Sequence, residues 1–588
     1  MRASKASVMA SGITHKGGLN SGHQGATSWL SLLLLSALLF LVTGCHLSEE
    51  PTETIETPDP PIVEVETDPA TPEFSIMISP VENGLRATWS LPEPTAAFVF
   101  EDDTVTHRHR EDDWVISEGW SFNDGRLSRD DGAEFQSFSI DISQTKRFYD
   151  RSYVPLAKVG EVGWLLHTGV FGTGDARFDL GFEGFPEGSV LVKNAQVDPL
   201  GRVSDLGKKS LIYAGAQELV ETGPRPTIVS PDVPKWLREA VLAEYSSAHN
   251  AYEQLFGRSP ESEALLALVR IPGDGLKEYK GDVSGSAVGL YVRGYSPENP
   301  DRYFLNQVAQ LLFHEVFHLW NAGEYQSTDG GQPWLHEGTA DYFADRLLRS
   351  DAEILSAANL AQVDCLVGLA GESLLTSSSA KSGNMPYRCG YWINFLAEQA
   401  LLAERDQSIF DLWRDVFESS EDQTYSSGSF LTLLSARLSN DARAPITAII
   451  EGSRYRKPGP HVATKPIGDA YGKDLPGRLL FKLLGSQCEG SYGFWSETDG
   501  YLLDTGDRCG YQLAGNPKVT HLNGISMVDE PARAYLSALS RCRRGEELEF
   551  AEWKTAALWP MRCPAEVARL PNLYEVTGMQ ALPSLLGR

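Results

Sequence analysis

The sequence predicts a multidomain protein: an N-terminal all-β domain over residues 74–231, an α+β domain with a helical bundle over 232–458, and a small α+β C-terminal domain over 459–588. Three observations carry that reading. The chain has 588 residues, more than one hydrophobic core usually organises. Short apolar or alternating runs bounded by Gly, Asp and Pro give way to helical periodicity at Pro234. Past Pro458, "KVTHLNGISMVDEPARAYLSALSRCRRGEELEFAEW" reads as strand, Asn-Gly turn, short helix and final strand. The formal net charge of −28 is offset by no basic stripe, which argues against a nucleic-acid partner and reads as a soluble, repulsive surface.

Ahead of the folded part, "WLSLLLLSALLFLV" (Trp29 to Val42) is uncharged, too short for a comfortable membrane span and preceded by Arg2, Lys5 and Lys16, as in a signal-peptide core. It ends in "VTGC", and small residues before a cysteine resemble the lipobox of bacterial lipoproteins. The resemblance implies a signal peptide over 1–44 and Cys45 as the lipidated first residue of a mature chain held at the membrane of the bacterial cell envelope. An uncleaved membrane anchor is the alternative, and either arrangement puts the bulk of the chain outside the cytoplasm. Residues 45–73 are rich in Pro, Thr and acids and cannot bury enough apolar surface to fold, so they read as a tether. Six further cysteines suit an oxidising compartment, and although sequence does not fix connectivity, their spacing favours Cys365–Cys389, Cys488–Cys509 and Cys542–Cys563.

In the β-rich part, "FSIMIS", "FQSFSIDI", "VGWLLHTGVF" and "GSVLVKN" are strand-like. "GRVSDLGKKS" looks like a phosphate loop but has the wrong glycine spacing and a lysine where Ser or Thr should stand. "PKWLREAVLAEYSSAHNAYEQLFG" then repeats apolar residues at helical spacing between Pro234 and Gly257. "ALLALVRIP" and "GSAVGLYVRGYS" read as strands, and most of 302–453 as helix.

Inside that helical region "LLFHEVFHLW" sets two histidines and a glutamate in an apolar run. On a helix His314 and His318 project from one face about a turn apart and can share one ion. Glu315 lies about 100° around the axis, close enough to touch a water on that ion without ligating it. A third ligand is expected from a second helix opened by Pro333, where Glu337 follows His318 after eighteen intervening residues. Two imidazoles and a carboxylate leave a fourth position open, the pattern of a catalytic Zn2+ site. Glu315 would then act as general base for water attacking a peptide carbonyl.

"HEVFHLWN", followed by Glu337 in "WLHEGTADYF", resembles the gluzincin metallopeptidases, and Trp320-Asn321 after the second histidine is similar to the glycyl aminopeptidase family. The resemblance implies a β-rich N-terminal domain, a thermolysin-like catalytic domain and a PDZ-like C-terminal domain, with "SYGF" (Ser491 to Phe494) as its carboxylate-binding loop. In that family and in the aminopeptidase N family, which shares the spacing, a tyrosine ahead of a glycine-containing helix start donates to the oxyanion. "PYRCGYWINFL" matches this context and points to Tyr387, with Tyr391 as the substitute. The resemblance also implies that Asp341, one turn past Glu337, accepts the free N–H of a ligand histidine, the alternative being an exposed helix acid like Asp345. "GSAVGLYV" departs from the aminopeptidase N pattern: it lacks Gly-x-Met-Glu-Asn and an acid for a substrate's amino terminus, so exo- and endopeptidase activity both stay open. Its Gly285 and Gly289 would let a substrate backbone lie close along an edge strand, a plain sheet edge being the alternative.

The expected function is a zinc metallopeptidase at the cell envelope acting on peptides or unfolded proteins. The alternative, a catalytically degenerate peptide-binding envelope lipoprotein, needs neither the ligand set nor Glu315. A zinc hydrolase of non-peptide substrates fits the triad as well, though no G-x-S-x-G or rival nucleophile motif occurs.

Overall fold

The computed structural model describes residues 74–585 except for short internal stretches, among them 296–300, 330–332, 379–382, 489–491, 506–508, 510–516 and 553–557. The signal segment, the tether, Cys45 and Ser491 lie outside the described residues.

The first unit is built of β-sheets. Phe74–Val81 pairs antiparallel with Gly84–Thr95, which pairs with Phe135–Ser143, in a six-stranded sheet. Phe138, Ile140 and Ile142 repeat every second residue and are buried, as a strand with one face on a core must. Phe135 is buried out of step because the pairing register shifts between Ser90 and Thr95. Trp89 stacks on Phe138 at 4.7 Å in the middle of this core.

The second unit opens on a five-stranded sheet ordered Val220–Glu221, Thr227–Val229, Leu265–Arg270, Ala287–Arg293, Glu278–Ser284. Its three inner strands run parallel and Glu278–Ser284 is an antiparallel edge. Both faces are covered. Leu266, Leu268, Val288 and Leu290 pack among the helices, while Leu265, Ala267, Val269 and Tyr291 share a core with Leu165 and Tyr213 of the β unit. This two-sided burial explains why "LLALV" is apolar without alternation. It also moves the seam: Val220–Glu221 and Thr227–Val229 fall in the range read as the β-rich domain but pair into this sheet.

Helices Lys235–Phe256 and Arg302–His318 lie on the inner face, and Thr339–Leu348, Asp351–Leu369 and Met385–Arg405 pack onward from them. The buried Arg346–Glu398 pair, with Nε 3.0 Å from Oε1, ties Thr339–Leu348 to Met385–Arg405. Three disulfides join Cys365 to Cys389, Cys488 to Cys509 and Cys542 to Cys563.

The C-terminal residues do not form a core of their own. Leu479, Leu483, Ala534, Tyr535 and Phe550 belong to one apolar cluster with Leu366, Trp392 and Phe395 of the helical unit. Asn523 and Gly524, both at positive φ, make the tight turn between His521–Leu522 and Ile525–Ser526. Helix Leu475–Gln487 packs against both Gly493–Glu497 and helix Pro531–Arg543, with Gly477 against the rings of Phe494 and Tyr501. Strand Tyr574–Gly578 returns to the helices: Asn359 Nδ2 donates to Val576 O at 3.0 Å and Val576 N donates to Asn359 Oδ1 at 2.8 Å.

Candidate metal centre

Helix Arg302–His318 starts where the Asp301 side chain accepts from Phe304 N and buries Phe304, Val308, Leu312 and Phe313 at helical spacing. That stripe pins the helix against the sheet and leaves His314 and His318 facing the next helix. Their Nε2 atoms lie 3.0 Å apart. Glu337 Oε2 lies 3.2 Å from Nε2 of His314 and 3.5 Å from Nε2 of His318. Among the described residues this is the one group of three His, Cys, Asp or Glu side chains whose ligand atoms all fall within 4.8 Å of one another.

The outer nitrogens are already spoken for. Nδ1 of His314 lies 2.9 Å from Asp341 Oδ1, and Nδ1 of His318 lies 2.8 Å from Asn321 Oδ1. Both partners are acceptors, so each Nδ1 carries a proton, and in the neutral, ligating form each Nε2 turns a lone pair inward. When both rings are neutral, two inward lone pairs and the Glu337 carboxylate converge on one point, so the donor set fits a divalent ion of zinc's preferences.

The comparisons with known proteins add likeness without an assignment. No family model matches the sequence and no curated protein matches it. Among solved structures, the chain is similar to an aminopeptidase N family protein from Idiomarina loihiensis, with TM-score 0.47 and 12% identity over 87% of this chain and 99% of that one. It is also similar to an M1 zinc metallopeptidase from Deinococcus radiodurans, with TM-score 0.38 and 14% identity over 66% of this chain and 95% of that one. For yeast LTA4 hydrolase in complex with bestatin the TM-score is 0.38, with 13% identity over 70% of this chain and 71% of that one. These likenesses are too remote to assign an activity, and the reading of the site rests on its own residues.

Electrostatics follow from burial and the close pairings. Burial opposes ionisation of Glu337, yet His314 and His318 hold its carboxyl well below the usual range. Burial likewise opposes protonation of His314, yet Asp341 and Glu337 hold its pKa well above the usual value. Glu315 is 8% exposed and sits across from Gly281 of the edge strand, where a Cβ would meet its Oε1 at 3.0 Å. Burial raises its pKa, opposed by the charges of His314 and His318.

Tyr387 joins the site and Tyr391 does not. The Tyr387 ring stacks on His314 at 6.1 Å, and burial, then the neighbouring Glu337 and Asp341 carboxylates, push its pKa well up, so its hydroxyl remains a proton donor beside the ligands. Tyr391 instead donates to Asp345 Oδ2 at 3.1 Å. Asp345, taken above as an exposed acid, is 2% exposed and also accepts from Gln310; burial pushes its pKa up to about 7. Gly390, one turn beyond Tyr387, explains the glycine: a Cβ there would fall 2.1 Å from Trp334 O and 2.7 Å from Gly338 Cα. Only backbone can pass at that distance, and this approach brings Tyr387 to Glu337. Gly390→Ala is therefore expected to lower stability by about 1–3 kcal/mol through overpacking and to reduce turnover in the protein that folds. Thermal melts and kcat at matched zinc content check both.

The expected substrate strand is corrected. Ala287–Arg293, with Gly289, is paired on both sides, to Leu265–Arg270 and to Glu278–Ser284, so it has no free edge. Gly285 is the positive-φ turn residue, at φ 61°, that folds the two strands into a hairpin. The edge belongs to Glu278–Ser284, whose polar "EYKGDVS" concealed it. That strand carries Asp282, 7% exposed, whose oxygens make no well-formed hydrogen bond although the Val154 amide lies near. Burial pushes its pKa up to about 7, with Glu315 adding to the shift and Lys280 opposing it.

The contacts of two further residues escaped the sequence reading, which noted Asn321 only as part of a motif. Asn321, in the π-helical turn Leu319–Glu324, accepts from His318 and donates through Nδ2 to His336 O at 3.0 Å, while Tyr425 donates to its carbonyl at 2.7 Å. An amide three residues past a ligand histidine was the available signal. His336 stacks on His318 at 4.1 Å and 17°, and burial, then His318, lower its pKa to about 3, so it stays neutral.

Proposed function

We propose that the protein is a zinc-dependent metallopeptidase that hydrolyses peptides or unfolded proteins, with His314, His318 and Glu337 as metal ligands. The observation that supports it most is the pair of histidines with both Nδ1 atoms committed and both Nε2 atoms turned toward Glu337. Bound zinc would polarise a peptide carbonyl and supply a water of lowered pKa. Glu315 takes a proton as water attacks and returns it to the leaving amine. Tyr387 donates a hydrogen bond to the oxyanion. Asp341 and Asn321 hold the two imidazoles in their ligating tautomers.

The substrate backbone is assigned to the free edge of Glu278–Ser284, where Gly281 faces Glu315; Asp282, buried beside Tyr291 on the opposite face of that strand, is turned away from the metal ligands, so exo- and endopeptidase activity both stay open. The PDZ-like reading of the C-terminal unit rests on its order of elements. Because Leu475–Gln487 lies against both the strand and the helix that would flank a peptide groove, we assign it no peptide. Anchoring through Cys45 rests on the lipobox-like "VTGC".

The deciding test is zinc content and cleavage of a mixed peptide library by the full chain and its Glu315→Gln variant. One zinc in each and cleavage only by the wild type supports the reading. Zinc without cleavage by either favours the peptide-binding lipoprotein, and absence of zinc sinks the ligand assignment.

A further inference from the structure

We infer that the Cys365–Cys389 disulfide and the Asp364–Arg388 pair together position Tyr387, setting how closely its hydroxyl approaches the metal ligands. The inference rests on the reading of Tyr387 as oxyanion donor. Tyr387 is the third residue of helix Met385–Arg405, and the N-cap residue Asn384 makes no side-chain cap hydrogen bond. The turn is instead tied from the neighbouring helix Asp351–Leu369. Arg388 Nε lies 3.4 Å from Asp364 Oδ2, and at the next residue of each helix the disulfide brings Cys365 and Cys389 to a Cα–Cα distance of 4.8 Å. Both cysteines are fully buried.

The helical angle makes these ties directional. Cys389 lies two residues past Tyr387, about 200° around the axis, so the disulfide holds the helix on the side opposite the tyrosine. Gly390 against Gly338 sets the distance on the metal side. The first turn is thus gripped between a covalent link behind and a backbone contact in front. Asp364 also reaches farther: its Oδ1 accepts from Arg478 of helix Leu475–Gln487, so the C-terminal residues share the carboxylate that holds the Tyr387 turn.

The test compares full-chain Cys365→Ser/Cys389→Ser and Asp364→Asn with the wild type, each also in a Tyr387→Phe background. Zinc content, kcat and KM are measured. We expect zinc to stay at wild-type stoichiometry, KM to move less than about twofold, and kcat to fall about 10–100-fold in the cysteine variant, as small misplacements of catalytic groups do. In the Tyr387→Phe background the same changes should cost almost nothing more, because the group they position is gone. Unchanged kcat in the cysteine variant and in Asp364→Asn, or losses that multiply fully with Tyr387→Phe, overturns the inference. If the cysteine variant does not fold, Asp364→Asn decides alone by the same criteria. A Tyr387→Phe enzyme with wild-type kcat sinks the oxyanion reading instead, so the two failures are told apart.

Discussion

Glu315→Gln is expected to keep its zinc and lose about 10²–10⁴-fold in kcat, the usual contribution of a positioned general base. The amide matches the carboxylate in size but cannot take up a proton, so substrate binding should survive and KM should stay near the wild-type value. Stability separates this from a folding defect. Burial raises the Glu315 pKa, so in the metal-free protein its ionisation costs stability, a cost that builds up as pH rises from the ordinary carboxylate range through the raised pKa and then levels off. Glutamine removes that charge, and the metal-free variant should melt at or above the wild-type temperature. A variant that melts early would trace the loss to folding, and one that turns over at the wild-type rate would remove Glu315 from the mechanism.

His318→Ala is expected to reduce zinc in the purified protein to background, and Asn321→Ala to weaken zinc about 10–100-fold, as loss of a ligand's orienting partner does. Both follow from geometry in which His318 offers one nitrogen to the ion and gives the other to Asn321. The wild type should also release close to one proton as zinc binds. Without metal, His314 holds a proton to a pH well above the ordinary imidazole range because Asp341 and Glu337 outweigh its burial. A ligating imidazole must be neutral, so zinc displaces that proton, and affinity should fall as pH drops below the raised pKa. Calorimetric titrations in buffers of different ionisation enthalpy count the proton directly. Zinc binding without proton release would mean that the metal-free site is not charged as described.

The two histidines were legible because they are a spacing on a regular helix: a step of four residues from His314 to His318 puts two rings on one face whatever surrounds them, and Glu337, in the π-helical turn Trp334–Gly338, was found from its interval after His318. The role of Asn321 as partner of His318 was missed although the residue was noted in a motif, and His336 was not legible because it acts by stacking on His318, a contact no spacing reports. The sheet edge was misplaced for a related reason. "GSAVGLYV" looks like a strand because it is buried on both faces, whereas the true edge, "EYKGDVS", is polar enough to pass for a loop. Gly390 was noticed as part of a motif, but its reason, backbone passing backbone beside Gly338, exists only in three dimensions. The C-terminal residues looked like a separate domain because local patterns report elements and not which core they join. Leu479 and Tyr535 pack into the cluster that also holds Trp392.

The pairing of Asn359 with Val576 crosses 217 residues of chain. The helix that braces the turn of Tyr387 therefore receives this partner only after synthesis has run far past the metal ligands. During translation the histidines and Glu337 exist long before the scaffold around them is complete.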